Sequence, residues 1–219
     1  MPRHSRIVIP GLPHHITQRG NYQQIVFKKP EDFAKYCYWI NRYAAKHKLD
    51  IVAYCLMSNH VHFIAIPHQK NSLSLTFKNA HMRYAQYVNK ENERKGHLWQ
   101  GRFFSCILQD THLYRAVRYV EQNPVRAGIV QKASAYRWSS ARWHLGLEPQ
   151  STIDLKEFKM VDKNEWSKYL EETDSDINDD IRIKTQKGLA VGGQEFIASL
   201  EKTLDVSLRC LGKGRPSKN

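Results

Sequence analysis

Two histidines two positions apart, His60 and His62, are the first residues in the sequence whose spacing suggests chemistry. They lie inside an apolar run, and in a β-strand residues i and i+2 point to the same face of the sheet. Neutral imidazole is the commonest side-chain metal ligand, so this pair can supply two ligands of a metal site. The alternative is a strand whose histidines only hydrogen-bond to neighbours or water. Spacing alone leaves both interpretations open.

Tyr119 and Asn123 form a second candidate pair, because they are four residues apart near the end of a predicted helix and share a face. A helical tyrosine is commonly a core residue, and Asn123 stands directly before Pro124, where a helix ends. Both residues therefore keep an ordinary structural alternative. His14 and His15 are further candidate ligands, but no partner at a useful spacing supports them, so we predict structural or solvent-facing roles.

Hydrophobic periodicity and turn-forming residues predict the elements that must position these side chains. The predicted order is strand, helix, two strands, helix, strand, helix, which fits an α+β fold with a ferredoxin-like (RRM-like) antiparallel sheet packed with helices. We predict strands at residues 6–19, 51–57, 60–66 and 103–108, and helices at residues 30–47, 72–89, 110–122 and 194–204.

The remainder of the chain is predicted to be a C-terminal extension of one main domain at residues 1–147. Residues 148–187 are predicted to be an acidic, linker-like segment, because residues 171–180 are acidic and poor in large apolar side chains. Residues 188–219 are predicted to form a small helical element and a basic tail. Arg215 in that tail is a candidate for the minor groove of A·T-rich DNA.

Composition favours a nucleic-acid partner. The chain has 219 residues, a net charge of +13 and a pI near 9.6, and such an excess of positive charge attracts phosphate backbones. No apolar run approaches the roughly 20 residues needed to span a bilayer, so we expect no membrane partner and a cytoplasmic location. The four cysteines are scattered, which argues against a zinc knuckle or a disulfide framework.

Five segments together resemble the REP-associated tyrosine transposases of the single-tyrosine HUH transposase superfamily. They are PHHITQRGN at residues 13–21, MSNHVHF at 57–63, LWQGRF at 98–103, RYVEQNPVRAG at 118–128 and YRWSSA at 136–141. The resemblance covers roughly residues 7–143 and makes residues 1–147 the transposase domain. Relaxases and replication initiators share the His-x-His pair but usually place the tyrosine and the histidines in another order.

The resemblance implies a role for each matching position. His60 and His62 would bind a divalent metal, Mg²⁺ or Mn²⁺, which Asn123 would complete from the helix, and Tyr119 would be the nucleophile. The implied function is a metal-dependent single-stranded DNA endonuclease and strand transferase. It would nick and rejoin DNA near hairpins through a 5′-phosphotyrosine, in transposition or in the mobilisation of REP elements.

The implied partner is single-stranded DNA with a hairpin, bound by a monomer or homodimer in a bacterial cytoplasm, with nucleoid association when bound. Two alternatives remain: a catalytically silent module of the same fold that binds single strands, and a hydrolase whose metal is bound by His60 and His62 with His14 or His15. Candidate DNA-binding residues are the basic side chains near the motifs and in the tail, namely Arg19, Arg102, Arg115, Arg118, Arg126 and Arg215.

Overall fold

A five-stranded sheet forms the centre of the fold in the computed structural model, which describes residues 6–157, 162–172 and 175–208. The strand order is β2-β3-β1-β4-β5. The pairs β2–β3, β3–β1 and β1–β4 are antiparallel, and β5 pairs with β4 in parallel. The predicted ferredoxin-like α+β arrangement is confirmed. The strands are β1 (His14–Arg19), β2 (Leu49–Met57), β3 (His60–Pro67), β4 (Phe104–Leu108) and β5 (Ala190–Val191).

Helices cover both faces of the sheet. Among the described residues, none of the helices has the length and apolarity that crossing a bilayer requires. The helices are α1 (Pro30–Lys46), α2 (Ser72–Glu91), α3 (Leu113–Glu121), α4 (Asn123–Arg126), α5 (Ala141–His144), α6 (Lys163–Glu171), α7 (Ser175–Lys187) and α8 (Gln194–Leu204).

The predicted hairpin of β2 and β3 is confirmed, with Ser58 and Asn59 as its turn. The first strand, in contrast, was predicted too long, because β1 begins only at His14. Gly11 has a φ of +85°, a left-handed conformation that interrupts an extended chain. Ile7 and Ile9 before it pack against the buried Leu200 of α8 and its neighbours instead of continuing the strand.

The two faces of the sheet have different contents. One face packs against α1 and α2 through an aromatic core that includes Tyr36, Phe63, Phe77 and Tyr84. The other face packs against α3 and α7. It carries His15, His60 and His62, and Tyr119 of α3 lies beside them. Alternation along the strands produces this division, because Val61 and Phe63 face the first side while His60 and His62 face the second.

The C-terminal extension contains more regular structure than the linker-like prediction for residues 148–187. Helices α6 and α7 lie in this segment, and Trp166, Ile177 and Ile181 from them are buried in one cluster with residues of α3 and the sheet. Apolar residues four positions apart, such as Ile177 and Ile181, make one buried helix face even though the segment as a whole is acidic. The predicted division of the chain into three parts stays a prediction.

A buried carboxylate, that of Glu121, fixes helix α3 against the C-terminal part. Glu121 is fully buried; Ser140 donates to its Oε1 at 2.6 Å, and Trp166 donates to its Oε2 at 3.2 Å. The Nδ1 atom of His144 also contacts Oε1. A buried charge requires such partners, so this cluster restricts the position of α3 and of Tyr119, which lies two residues earlier.

Candidate active site

A cleft of about 760 Å³ opens on the α3 and α7 side of the sheet and collects most of the predicted site residues. Strands β1 and β3 form its floor, α3 and α4 form one wall, and α7 forms another. Its lining includes the metal and nucleophile candidates together with basic, amide and aromatic side chains, among them His15, Arg19, His60, His62, Phe104, Tyr119, Asn123, Arg126, Arg182 and Thr185.

Strand register brings the two histidines to the floor of the cleft. Thr17 pairs with His62 and Arg19 pairs with His60 in the antiparallel ladder of β1 and β3. Residues directly opposite each other in such a ladder point to the same face, so Thr17 and Arg19 lie on the face of the two histidines. His60 and His62 are two positions apart on β3, and their ring centroids lie 5.0 Å apart, as the spacing predicts.

The Nδ1 atoms of both histidines are engaged in hydrogen bonds. His60 Nδ1 lies 2.6 Å from Asn59 Oδ1, and His62 Nδ1 lies 2.9 Å from Nε2 of the buried His15. Burial and the nearby charge of Arg19 lower the pKa of His60 to about 4. Burial, followed by the neighbouring histidines, lowers the pKa of His62 well below its usual value. Both imidazoles are therefore neutral at neutral pH, which metal ligation requires.

Tyr119 is buried beside these histidines. Its ring centroid lies 5.4 Å from that of His15 and 5.8 Å from that of His62, both in edge-to-face geometry. The guanidinium carbon of Arg126 lies 4.3 Å from the centre of the Tyr119 ring. Burial raises the pKa of the Tyr119 phenol, and the charge of Arg126 opposes that rise. Arg126 therefore favours the phenolate at a tyrosine that burial keeps protonated.

Asn123 reaches the same cleft from the turn after α3. Its Nδ2 donates to the backbone carbonyls of Tyr119 and Val120, each at 3.1 Å, so the side chain is held against the end of the helix. These bonds use the nitrogen and leave Oδ1 as the atom suited to a hard cation. Two imidazoles and one amide oxygen are a donor set that fits a divalent ion with further positions for oxygen ligands.

The alternative that adds His14 or His15 as third ligand is wrong for the described residues. No group of three or more His, Cys, Asp or Glu side chains suited to metal binding occurs among them. His14 Nδ1 lies 2.8 Å from the Leu12 carbonyl, and His14 does not line the cleft. His15 faces the cleft, but both of its ring nitrogens are engaged, with Thr185 and with His62. Both histidines are buried, which agrees with the structural one of the two predicted roles and not with the solvent-facing one.

Five of the six predicted DNA-binding arginines lie among the described residues, and these five separate into three groups. Arg19 and Arg126 line the cleft, whereas Arg102 and Arg115 are exposed outside its lining. Arg118 is only 3% exposed; it forms a 2.9 Å ion pair with Glu172 and lies over the Tyr169 ring, so it joins α3 to α6 instead of facing a ligand. Arg215 lies outside the described residues.

Sequence reasoning missed the contribution of α7 to this site. Thr185, Arg182 and Asp179 of this helix line the cleft although they come from the segment predicted to be linker-like. The sequence signal for a packed helix is the four-residue spacing of Ile177, Ile181 and Thr185, and all three are buried in the structure. The role of His15 had a signal too, since it alternates with Thr17 and Arg19 on one face of β1.

Comparisons with known proteins give the family and the fold of the chain. Residues 9–123, more than half of the chain, match the family model described as "Transposase IS200 like". No curated protein matches the sequence. A solved structure described as a REP-associated tyrosine transposase bound to a REP hairpin has a TM-score of 0.58 and 18% identity, and the match covers 74% of this chain and 98% of that chain. This likeness shows a shared fold.

Two further solved structures are similar at lower TM-scores. One is described as a transposase from Deinococcus radiodurans, with a TM-score of 0.37, 18% identity and coverage of 55% of this chain and 97% of that chain. The other is a tRNA(His) guanylyltransferase from Saccharomyces cerevisiae, with a TM-score of 0.38, 15% identity and coverage of 85% of this chain and 82% of that chain.

Proposed function

Because the chain belongs to the IS200-like transposase family, we propose that it nicks and rejoins single-stranded DNA through a covalent bond to Tyr119. The family supports a role as a DNA transposase. Tyrosine catalysis, metal dependence and the hairpin substrate are the finer parts of the proposal.

One observation carries it: Tyr119, His60, His62 and Asn123 all line a single cleft. They come from β3, α3 and α4, and all belong to one chain. A tyrosine needed only for packing would not require two neutral histidines and a cation around it. This arrangement supports an activated nucleophile beside a phosphate-binding site.

The proposed step is an in-line displacement at a DNA phosphate. A bond forms between the Tyr119 phenol oxygen and phosphorus, and the bond between phosphorus and the 3′ oxygen breaks. The phenol proton leaves to water, and the departing 3′ oxygen takes up a proton to become a hydroxyl. The product is a 5′-phosphotyrosine, which retains a phosphodiester bond that a later 3′-OH can attack in the reverse sense. Arg126 favours this step because its charge stabilises the phenolate.

His60, His62 and Asn123 are the residues that would bind a divalent ion, Mg²⁺ or Mn²⁺. When bound, such an ion supplies positive charge beside the phosphate oxygens, where the transition state gathers negative charge. Both imidazoles are neutral and their Nδ1 atoms are hydrogen-bonded to other partners, as is Asn123 Nδ2. This leaves the Nε2 atoms and Asn123 Oδ1 for the ion. Two imidazoles favour Mn²⁺ over Mg²⁺, which prefers oxygen ligands.

We propose single-stranded DNA next to a hairpin as the substrate. The structure of the same fold described as bound to a REP hairpin is consistent with this choice. In this chain the exposed Arg19, Arg126 and Arg182 surround the cleft and can contact phosphates, and the partly exposed Phe104 can stack on a base.

The experiment that tests the proposal is an adduct assay. A single-stranded hairpin oligonucleotide with a 3′ label is incubated with the protein and Mn²⁺, and the products are separated on a denaturing gel. A 5′-phosphotyrosine keeps the labelled 3′ segment on the protein, so we expect a labelled protein band. Tyr119→Phe should abolish that band and retain DNA binding.

Tyr114→Phe is the matched control, because Tyr114 lies on the same helix and outside the cleft lining. This variant should form the adduct at the rate of the unaltered protein. An adduct that persists in Tyr119→Phe would show that another residue is the nucleophile. DNA binding without any adduct, over a set of hairpin sequences, would favour the catalytically silent binding module.

A further inference from the structure

A continuous chain of hydrogen bonds runs from helix α7 to the floor of the cleft. His15 Nδ1 lies 2.7 Å from Thr185 Oγ1, and His15 Nε2 lies 2.9 Å from His62 Nδ1. The His15 and Thr185 side chains are 1% exposed and His62 is 6% exposed, so water does not compete for these bonds. Residues from α7, β1 and β3, which are far apart in sequence, thus share one buried polar path.

The direction of each hydrogen bond follows from its far end. Thr185 Oγ1 lies 2.6 Å from the Ile181 carbonyl oxygen, which can only accept, so the single hydroxyl proton of Thr185 is donated there. The oxygen of Thr185 then accepts from His15 Nδ1–H. Cys106 Sγ lies 3.1 Å from Thr185 Oγ1 and donates to the second lone pair of that oxygen.

The tautomers of both histidines then follow. Burial without water disfavours a charged imidazolium, so His15 carries one proton, on Nδ1, and its Nε2 accepts. His62 must therefore donate from Nδ1, and its own Nε2 is left with a lone pair. His60 reaches the same state by a different route, because the Oδ1 atom of Asn59 accepts from its Nδ1.

We propose that Thr185 and His15 are positioning residues that hold His62 in the tautomer with an unprotonated Nε2. This inference rests on the proposed function in one respect, namely that His62 Nε2 binds the metal ion. It goes beyond the family match, because Thr185 lies outside residues 9–123. The C-terminal extension would therefore supply an active-site component, and the separate ends of the chain would have to fold together before the metal site is complete.

The tautomers can be measured directly by NMR on the full chain labelled with ¹⁵N-histidine. Two-bond proton–nitrogen correlations distinguish a protonated Nδ1 from a protonated Nε2 without any metal present. We expect protonated Nδ1 at His15 and His62. In Thr185→Val, His15 Nδ1–H loses its acceptor, so the proton should move to Nε2 of both rings, and Mn²⁺ should bind roughly 10- to 100-fold more weakly by calorimetry.

Two variants separate this effect from a general loss of structure. Thr185→Ser keeps the hydroxyl and should restore both the tautomers and the Mn²⁺ affinity. Thr76→Val removes another fully buried hydroxyl, one that donates to the Tyr43 carbonyl at 3.2 Å far from the chain of histidines. It should leave the His62 tautomer and the Mn²⁺ affinity unchanged.

The outcomes distinguish this inference from the proposed function. Mn²⁺ binding that is indifferent to Thr185→Val, or a protonated His62 Nε2 in the unaltered protein, overturns the inference and leaves the proposed nuclease standing. Failure of the unaltered protein to bind Mn²⁺ overturns the proposed metal site, while the spectrum still decides whether His62 has the inferred tautomer. The spectrum of the unaltered protein decides the tautomers even if Thr185→Val does not fold.

Discussion

Two histidine–tyrosine clusters lie on opposite faces of the same sheet, and one of them lines the cleft of the proposed active site. In the α1 and α2 layer, the Tyr36 hydroxyl lies 3.0 Å from His81 Nε2. On the other face, His62 and Tyr119 pack edge to face. Exposure does not separate them, since Tyr36 and His81 are 0% and 8% exposed and Tyr119 and His62 are both 6% exposed.

The neighbours of each cluster make the difference. His81 and Tyr36 pack among the rings of Phe77, Tyr84 and Trp99, which fill the space around them. The Tyr119 cluster instead has a guanidinium, an amide and a cavity beside it. Residue type and burial therefore do not distinguish the two tyrosines. The cation over its ring and the cleft beside it set Tyr119 apart, which supports its proposed role as the nucleophile.

The largest expected difference between the two clusters is at the proposed metal site. His60→Ala removes one of the two imidazoles of the proposed metal site, so we expect Mn²⁺ affinity and adduct formation to fall by about 100-fold or more. Calorimetry with Mn²⁺ and the adduct assay measure the two losses. His81→Asn is the control from the opposite cluster and should retain Mn²⁺ affinity in the folded protein. Equal Mn²⁺ affinities for the unaltered protein and His60→Ala would remove His60 from the proposed site.

Arg126 is a second difference between the clusters, because among the described contacts no cation is stacked on Tyr36 as Arg126 is on Tyr119. Arg126→Gln removes the charge that opposes the burial-induced rise of the Tyr119 pKa, so that pKa should rise further. We expect slower adduct formation at neutral pH, by tenfold for each pKa unit of that rise, since one pKa unit changes the phenolate population tenfold. The loss should stay constant well below the Tyr119 pKa and should shrink only as pH approaches that raised pKa.

Single-turnover rates of adduct formation between neutral and alkaline pH measure this effect. Arg102→Gln is the matched control, because Arg102 is an exposed arginine outside the cleft lining. A loss in Arg126→Gln that disappears at saturating DNA would mean that Arg126 acts on DNA binding and not on the phenol.

The cluster of Tyr36 and His81 should make the free energy of unfolding fall as pH decreases below neutrality. Burial, followed by the charge of Arg6, lowers the pKa of His81 to about 3, whereas an unfolded histidine titrates near 6.5. Between these values the unfolded chain binds the extra proton, so the contribution of His81 to stability is full above about pH 6.5 and is lost as pH falls. The slope is about 1.4 kcal/mol per pH unit for one such group.

Urea unfolding at several pH values between neutral and mildly acidic, for the unaltered protein and His81→Asn, measures that slope. The variant should be less stable at neutral pH and should lose stability more gradually on acidification. His14 and His15 are also buried with lowered pKa values, of about 4 and about 3, so a shallower slope should persist. Parallel stability curves for the two proteins would contradict the assignment.

The sequence predicts the local parts of the site much better than the parts built by distant contacts. The hairpin that presents His60 and His62, and the helix that carries Tyr119, follow from short-range periodicity and turn residues. The family resemblance, which the match over residues 9–123 confirms, rests on the same local motifs. Asn123 lies in the cleft with these residues, and its predicted role as a ligand stays a prediction.

The pairing of His15 with Thr185 was beyond prediction, because the two residues are 170 positions apart. Their contact depends on how α7 docks, and α7 lies in a segment whose acidic composition predicts solvent exposure. Arg118 shows the opposite error, since its sequence position beside Tyr119 suggests DNA contact while a helical turn directs it to Glu172 and Tyr169. Both errors arise where tertiary packing, and not local pattern, decides what a side chain contacts.

The smallest effect should come from Tyr36→Phe, which removes the hydroxyl of the enclosed cluster. The ring stays packed, and only the hydrogen bond to His81 is lost, so we expect a loss of about 1 kcal/mol in the free energy of unfolding. Adduct formation should be unchanged, in contrast to its abolition in Tyr119→Phe. Urea unfolding and the adduct assay together make the comparison. If Tyr36→Phe slowed the adduct at full folding, the aromatic face would contribute to the chemistry, and the separation of the two clusters would fail.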